Sequence, residues 1–170
     1  MVHRPELRDV VAVPSGEQRL PASDVEGWDL TGRRRTLRLA APGHWTLLLF
    51  LGSHCDGCLP FWTVPRAPAA CGLEPQDASV VVTRGPAEEE ADALAALMGG
   101  DPAGASELLV MSAAAWRTYR VQGPPFFSLL DGVRVATEGV AWSLEQVASD
   151  VARARRPDAG EAAARPRVRR

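Results

Sequence analysis

The sequence predicts an α/β protein of three layers, with a central mixed sheet and helices on both of its faces. The chain has 170 residues, 46% of them hydrophobic, which is enough for one domain with an extensive core. Two apolar runs, residues 45–51 and 78–83, suit strands that are buried on both faces. Segments with strand and helix patterns alternate after the first run and lead to a predicted β-hairpin, an order typical of a mixed sheet covered on both sides.

Three parts are predicted along the chain. Residues 1–23 form a loosely ordered, proline-containing lead, residues 24–154 form the domain, and residues 155–170 form a disordered tail rich in arginine. From residue 153 onward, seven arginines and two acidic residues give a net charge of +5, which leaves −7 for the rest of a chain whose net charge is −2. No basic stripe interleaves with aromatic residues in the acidic body, so the sequence predicts no nucleic-acid partner.

The domain begins with a predicted β-hairpin, and the first core strand follows it. Apolar and polar residues alternate over residues 26–31 and 36–40, and a basic turn that starts at Gly32 separates the two runs. Residues 45–51 form the core strand, which stops at Gly52. The hairpin therefore precedes the buried centre of the sheet along the chain.

A helix is predicted directly after this core strand, from Cys55 to about Ala70. Pro60 fits only within the first turn of such a helix. Pro65 should kink or end the helix, because proline lacks an N–H group and clashes with the preceding turn. The shape of this stretch therefore depends on how the chain accommodates its prolines.

The remaining elements follow from capping residues, glycines and β-branched runs. Three consecutive glutamates, Glu88–Glu90, are placed in the first turn of a helix, near the positive end of its dipole. Ser143 is predicted to cap the last helix, with Trp142 packed on Val147 as a hydrophobic staple. In chain order the elements are a strand over residues 78–83, a helix over 88–98, a strand over 107–111, a helix from Ser112 to Tyr119, strands over 126–130 and 133–137, and a helix over 144–153.

The candidate chemistry of the sequence lies in Cys55-Asp56-Gly57-Cys58. The two cysteines follow a buried strand and begin a predicted helix, where unpaired backbone N–H groups stabilise a thiolate. Two intervening residues bring the second thiol within one turn of the first, so a disulfide can form and break with little backbone movement. Cys55, nearer the surface, is predicted to attack a substrate, and Cys58 to resolve the mixed disulfide.

Two other interpretations of the cysteine pair stay open. Zinc sites also use C-x-x-C, but zinc needs four ligands, and no second motif with metal-ligand spacing is present, so no metal is expected. The other candidate ligands are Cys71, His54, His44 and His3. The pair could instead be two unrelated buried cysteines, because cysteine is among the most buried residue types. The unpaired Cys71 is expected to be a buried or incidental thiol.

A later segment, Tyr119-Arg120-Val121-Gln122-Gly123-Pro124-Pro125, leads into the apolar run 126–130 and an Asp-Gly turn. Together with the hairpin and the strand that runs into C-x-x-C, it resembles the thioredoxin superfamily, specifically the membrane-anchored TlpA/ResA-like disulfide reductases. The resemblance spans about residues 24–152. Residues 55–62 and 138–139 also resemble an actinobacterial branch of that group.

The resemblance implies a thioredoxin-like fold and a role for the two prolines. Pro125 would be the cis-proline that faces the disulfide, and with Pro124 and Gly123 its backbone would pair with an extended substrate segment. The other interpretation of Pro124 and Pro125 is that they only begin a strand or make a turn.

Three positions depart from the family pattern near the cysteines. His54 replaces the usual tryptophan and either lowers the pKa of Cys55 as a cation or is a solvated loop residue. Asp56 disfavours the Cys55 thiolate, so we expect a less acidic thiol and a more reducing couple than in strong oxidases. Leu49 stands where thioredoxins have a buried aspartate, which leaves Cys58 without that proton acceptor and argues against efficient general reductase activity.

The predicted function is thiol–disulfide exchange on protein substrates, with the chain as a reductant that needs no cofactor. A redox partner must recycle it, and a monomer is expected. Peroxidase activity is not expected, because Gly52 stands where peroxiredoxins have a threonine. The alternative is a non-catalytic, partner-binding module in which the cysteines act as a redox switch.

The N-terminal sequence and the family resemblance predict different compartments. Residues 1–20 contain six charged side chains and no apolar run of signal-peptide length, which indicates the cytoplasm. The family resemblance instead implies a membrane-anchored protein outside the cytoplasm. Membrane association is therefore expected only if an anchor is missing from this chain.

Overall fold

The computed structural model describes residues 21–39 and 43–156. Most of the predicted lead and tail lies outside the described residues, so those two predictions stay untested. Seven strands form one mixed sheet. They are β1 (Val25–Trp28), β2 (Arg34–Leu37), β3 (Trp45–Phe50), β4 (Ala78–Thr83), β5 (Leu109–Met111), β6 (Phe126–Asp131) and β7 (Arg134–Val140). The spatial order is β2-β1-β5-β4-β3-β6-β7.

The parallel centre of the sheet consists of the apolar runs seen in the sequence. β3 pairs in parallel with β4, and β4 with β5. β6 adds antiparallel to the other side of β3, and β7 adds antiparallel to β6. β1 and β2 form the predicted N-terminal hairpin, which joins the sheet through β5. The central mixed sheet is therefore confirmed.

Within the described residues, four α-helices and three 3-10 segments cover the two faces of the sheet. The α-helices are α1 (Ala91–Leu97), α2 (Pro102–Ala105), α3 (Ala113–Thr118) and α4 (Leu144–Arg155). Alternate side chains of β3 enter two different cores, Leu47 and Leu49 on one face and Leu48 and Phe50 on the other. The first core contains residues of α1, α2, α4 and the 3-10 segments, and the second contains residues of α3. The three-layer prediction is confirmed.

The stretch after Cys55 is not the predicted helix. It consists of three 3-10 segments, Asp56–Phe61, Val64–Arg66 and Pro68–Cys71. Prolines explain the interruption, because each one removes a backbone donor and opposes a continuous α-helical ladder. Pro60 lies inside the first segment, and a proline occupies one of the first two positions of each later segment.

The serine caps are confirmed, whereas two other details of the helix predictions are wrong. Ser112 and Ser143 each accept a hydrogen bond from a backbone N–H in the first turn of α3 and α4. The Glu88–Glu90 run precedes α1, which begins at Ala91. The Trp142 side chain is 80% exposed, so it does not pack on Val147 as a staple. Helix α2 was not predicted.

Candidate active site

The structure brings Cys55 and Cys58 together at the end of β3, as their spacing predicts. Residues 51–54 leave the sheet, and Cys55 is the residue that precedes the 3-10 segment Asp56–Phe61. The two cysteines form a disulfide with their Cα atoms 5.3 Å apart. The Cys58 N–H donates to the Cys55 carbonyl oxygen at 3.1 Å. Both sulfurs are therefore held within one turn of a short helix.

The two cysteines differ sharply in exposure. Cys58 is completely buried and belongs to the same core as Phe61 and Leu49, both of which are also completely buried. Cys55 is only partly buried and lies at the edge of that core. A nucleophile or a disulfide arriving from solvent can therefore meet Cys55 first. Because residue 49 is a leucine, the sheet supplies no carboxylate to Cys58 at that position.

The two prolines lie directly beside the cysteine loop. The peptide bond between Pro124 and Pro125 is cis. A methyl group added at Gly57 would lie 3.5 Å from Pro125 Cδ, and one added at Gly52 would lie 3.6 Å from Pro124 Cγ. A methyl group at Gly123 would have no neighbour within 4 Å, so this residue faces open space.

The backbone groups that these prolines offer to a substrate are few. Neither proline has an N–H group. The Pro125 carbonyl oxygen accepts from the Ala141 N–H at 3.0 Å, which ties this residue to the end of β7. The Pro124 carbonyl has no hydrogen-bond partner within residues 21–39 and 43–156. The two prolines therefore offer one free backbone acceptor, the Pro124 carbonyl oxygen. The N–H group that precedes them along the chain belongs to Gly123.

Glu89 is a site residue that the sequence reasoning missed. It lies in the loop between β4 and α1, is 9% exposed, and accepts hydrogen bonds from the Ser53 N–H at 3.1 Å and the Ser53 hydroxyl at 2.5 Å. A methyl group at Gly52 would lie 3.4 Å from Glu89 Oε1 and 4.0 Å from Cys55 Cβ. The carboxylate therefore fixes the loop two residues before Cys55. The run of three glutamates contains no signal that singles out Glu89.

A cavity of about 200 Å³ opens beside Cys55. It is bounded by the cysteine loop, by the segment after β4, by α3 and by the proline segment. Its lining residues are Gly52, His54, Cys55, Arg84, Glu88, Glu89, Trp116 and Pro124. Both polar and apolar groups therefore line the space next to the Cys55 sulfur.

His54 and Asp56, the proposed modulators of Cys55, are both exposed. Neither makes a side-chain hydrogen bond or ion pair with any residue that the structure describes. The structure therefore places them next to Cys55 without locking their side chains, and their effect on its acidity stays a prediction.

The third cysteine lies outside this site. Cys71 ends the last 3-10 segment, is completely buried, and is a free thiol. Within the described residues, no group of three or more His, Cys, Asp and Glu side chains lies close enough together to hold a metal ion. None of the described helices has both the length and the apolar character needed to cross a membrane.

No protein-family model and no curated protein matches the sequence. Solved structures do match. A thioredoxin-like protein from Aeropyrum pernix has a TM-score of 0.57 at 14% identity and covers 76% of this chain and 89% of its own. A secreted Mycobacterium tuberculosis disulfide oxidoreductase homologous to E. coli DsbE has a TM-score of 0.54 at 18% identity, with 75% and 94% covered.

A thiol:disulfide interchange protein of the thioredoxin family from Chlorobium tepidum has a TM-score of 0.57 at 14% identity, and the match covers 82% of this chain and 99% of the other. The likeness extends over almost the whole of each solved structure, although the identities are low. The chain therefore has a thioredoxin-like fold, as the sequence resemblance predicted, with its C-x-x-C pair joined in a disulfide.

Proposed function

We propose that this chain is a thiol–disulfide oxidoreductase that reduces disulfides in protein substrates through Cys55 and Cys58. The observation that carries the proposal is the difference in exposure within the disulfide, because Cys55 borders an open cavity whereas Cys58 is completely buried. This is the arrangement that exchange requires, with one sulfur for the substrate and one for the enzyme's own resolving step. Structural neighbours that are described as disulfide oxidoreductases support it.

The proposed reaction moves two electrons and two protons from the dithiol to the substrate. The Cys55 thiolate attacks one substrate sulfur, forms a mixed disulfide and releases the other substrate sulfur as a thiolate, which takes up a proton. Cys58 then loses its proton and attacks Cys55 Sγ, which closes the disulfide and releases the second substrate thiol. The structure shows the oxidised product of this sequence. A dithiol donor must then reduce it again.

The surroundings of Cys58 predict a slow second step. Leu49 contributes an apolar side chain to the core around this thiol, so the Cys58 proton must leave through water or a more distant group. We therefore propose a reductase selective for its substrates, with Gly123, Pro124 and Pro125 holding the substrate beside Cys55. His54 and Asp56 would set the acidity of Cys55 in opposite directions.

The central test is a disulfide-exchange assay on the reduced protein. Wild type and Cys71→Ser should react at the same rate, whereas Cys55→Ser should not react, and Cys58→Ser should accumulate the mixed disulfide as a species of added mass. A reduction potential near −270 mV, as in thioredoxin, supports the reductant role. A potential near −120 mV, as in strong oxidants, contradicts that role and leaves exchange itself intact.

A second candidate is a non-catalytic module that binds a partner and uses the disulfide as a switch. The buried Leu49 in the same core as Cys58 favours it, because a leucine at this position supplies no base for the resolving step. Equal exchange rates for wild type and Cys55→Ser would exclude the enzyme and leave only this module.

A further inference from the structure

A second cavity, of about 330 Å³, adjoins the one beside Cys55. The two cavities share Arg84, Glu88 and Trp116, and together we call them the Cys55 groove. The second cavity extends away from the sulfur, along α3 and the segment that leads to the prolines. Its other lining residues are Ala113, Arg117, Arg120, Val121 and Gln122.

The distal part of the groove is basic. Arg84, Arg117 and Arg120 line it, and all three side chains are exposed. The chain as a whole has a net charge of −2, so this concentration of arginines reverses the local sign of charge. Neither Arg117 nor Arg120 has an ion-pair partner within the described part of the chain.

The two acidic side chains of the groove leave this positive charge available. Glu89 lies at the sulfur end, accepts hydrogen bonds from Ser53, and makes no ion pair with the arginines among the described residues. Glu88 lies 3.9 Å from the Arg84 guanidinium, with the two side chains 52% and 45% exposed. An exposed pair at this distance contributes little, so an incoming carboxylate can replace Glu88 at Arg84.

An aromatic ring holds Arg84 in place, and Arg120 lies at the end of α3. The Arg84 guanidinium carbon lies 4.5 Å from the centre of the Trp116 ring, and Trp116 is itself buried. Stacking on an aromatic ring leaves the edge of the guanidinium free for a carboxylate. Arg120 has a φ of +54°, a left-handed conformation that glycine adopts at lower cost. This conformation ends α3, because the Arg120 N–H donates to the Arg117 carbonyl oxygen at 3.1 Å and the Val121 N–H donates to the Trp116 carbonyl oxygen at 2.9 Å.

We propose that the Cys55 groove binds an acidic, extended segment of the protein substrate, next to the cysteine that the substrate presents to Cys55. The inference rests on the proposed exchange function and names its substrate class. The groove is open along its length, as an extended segment requires. Arginine forks bind carboxylates with two parallel hydrogen bonds, which favours Asp and Glu over neutral residues at these positions. The free Pro124 carbonyl accepts from the backbone of the same segment.

The test compares two synthetic peptides that differ only in charge. Each has one cysteine, linked as a mixed disulfide to a chromogenic aryl thiol, with glutamates on one side of it in the first peptide and glutamines in the second. The reduced wild-type protein should release the thiol from the acidic peptide about five to ten times faster at low ionic strength, the combined effect of two or three exposed ion pairs. At about 1 M salt, where charges are screened beyond roughly 3 Å, the preference should disappear.

Variants assign the preference to the groove. The double variant Arg117→Gln, Arg120→Gln should lose the preference, so that it reacts with the two peptides at the same rate. Arg153→Gln, on the other face of the sheet in α4, is the matched control and should keep it. The variant Arg117→Glu, Arg120→Glu should favour a lysine-containing peptide instead. Thermal unfolding of each variant checks that it is folded.

The outcomes separate this inference from the function on which it rests. If wild type reacts with both peptides at equal rates, or if the double variant keeps the acidic preference, the groove does not select acidic segments and the exchange function stands. If the reduced protein reacts with neither peptide, nor with the free aryl disulfide, both the proposed function and this inference fail.

Discussion

Cys71 and the Cys55–Cys58 pair contain the same functional group in two different surroundings, only thirteen residues apart along the chain at the closest. Cys71 lies in the core beneath α4, and burial raises the pKa of its thiol to about 11. Cys55 lies at the end of the sheet, beside an open cavity and a fixed carboxylate. Only the thiolate is a nucleophile, so the position of each cysteine in this fold governs how readily its thiol can ionise and be reached from solvent.

The largest expected contrast between the two regions is in alkylation of the reduced native protein. At pH 8 a thiol with a pKa of about 11 is only about one-thousandth ionised, and Cys71 is also completely buried. We expect iodoacetamide to modify Cys55 at least about a hundred times faster than Cys71, as measured by peptide mapping with mass spectrometry. In denaturant the two rates should converge. Equal rates in the native protein would contradict the contrast.

The pH dependence of stability should reveal the Cys71 thiol when wild type is compared with a variant that lacks it. Its thiol has a higher pKa in the folded protein, about 11, than in the unfolded chain, about 9.0. The folded state therefore retains the proton longer, so this contribution is fully present below pH 9 and is lost as pH rises toward 11. Between pH 8 and 10.5 the oxidised wild type should lose about 2 kcal/mol more free energy of unfolding than Cys71→Ala does.

Urea unfolding of both proteins at the two pH values measures that difference. The comparison between variants cancels the contribution of Tyr119, whose pKa is also raised by burial. Cys71→Ala should itself be less stable at pH 8, because it leaves a small void in the core. A parallel loss of stability in the two proteins would show that the Cys71 thiol does not titrate differently on unfolding.

A smaller effect is expected at Cys55 when the neighbouring carboxylate of Glu89 is neutralised. Glu89→Gln keeps the shape that holds Ser53 but removes a negative charge from the cavity beside Cys55. The Cys55 thiolate is then less disfavoured, so its pKa should fall by a few tenths of a unit to about one unit. The measurement is the pH dependence of the alkylation rate of Cys55 in the reduced protein.

Glu89→Ala provides the control for that prediction. It removes the same charge and also the hydrogen bonds to Ser53. The shift in the pKa of Cys55 should therefore match that in Glu89→Gln, while the exchange rate should be lower than in Glu89→Gln because the loop before Cys55 is no longer held. If both variants titrate as the wild type does, the carboxylate only shapes the loop and does not affect the sulfur electrostatically.

The sequence predicts the centre of this molecule well, because its signals are local. The apolar runs of β3 and β4 alternate between two cores as their patterns require, and Ser112 and Ser143 cap their helices through bonds to residues three positions away. The cysteine pair could be placed for the same reason, since two intervening residues bring the thiols within one turn.

The parts that could not be predicted depend on distant partners or on competition between effects. The role of Glu89 is recognised only from its hydrogen bond with Ser53, which lies 36 residues away along the chain. In the stretch after Cys55, apolar residues that must be buried favour a helix while prolines oppose it, and the result is a set of short 3-10 segments. The position of Trp142 before the Ser143 cap predicts a staple on Val147, whereas its side chain is exposed.

The prolines after Cys55 have a consequence for how the protein passes between its two oxidation states. Each ring fixes one backbone angle and so removes conformations from the unfolded chain, which lowers the entropy lost when this stretch becomes ordered. Because Pro60, Pro65 and Pro68 all lie in the three 3-10 segments, the polypeptide from Asp56 to Cys71 is shaped in advance by its own covalent structure. Reduction of the Cys55–Cys58 disulfide should therefore leave that backbone shape intact. The two thiols should keep nearly the geometry in which the disulfide forms again.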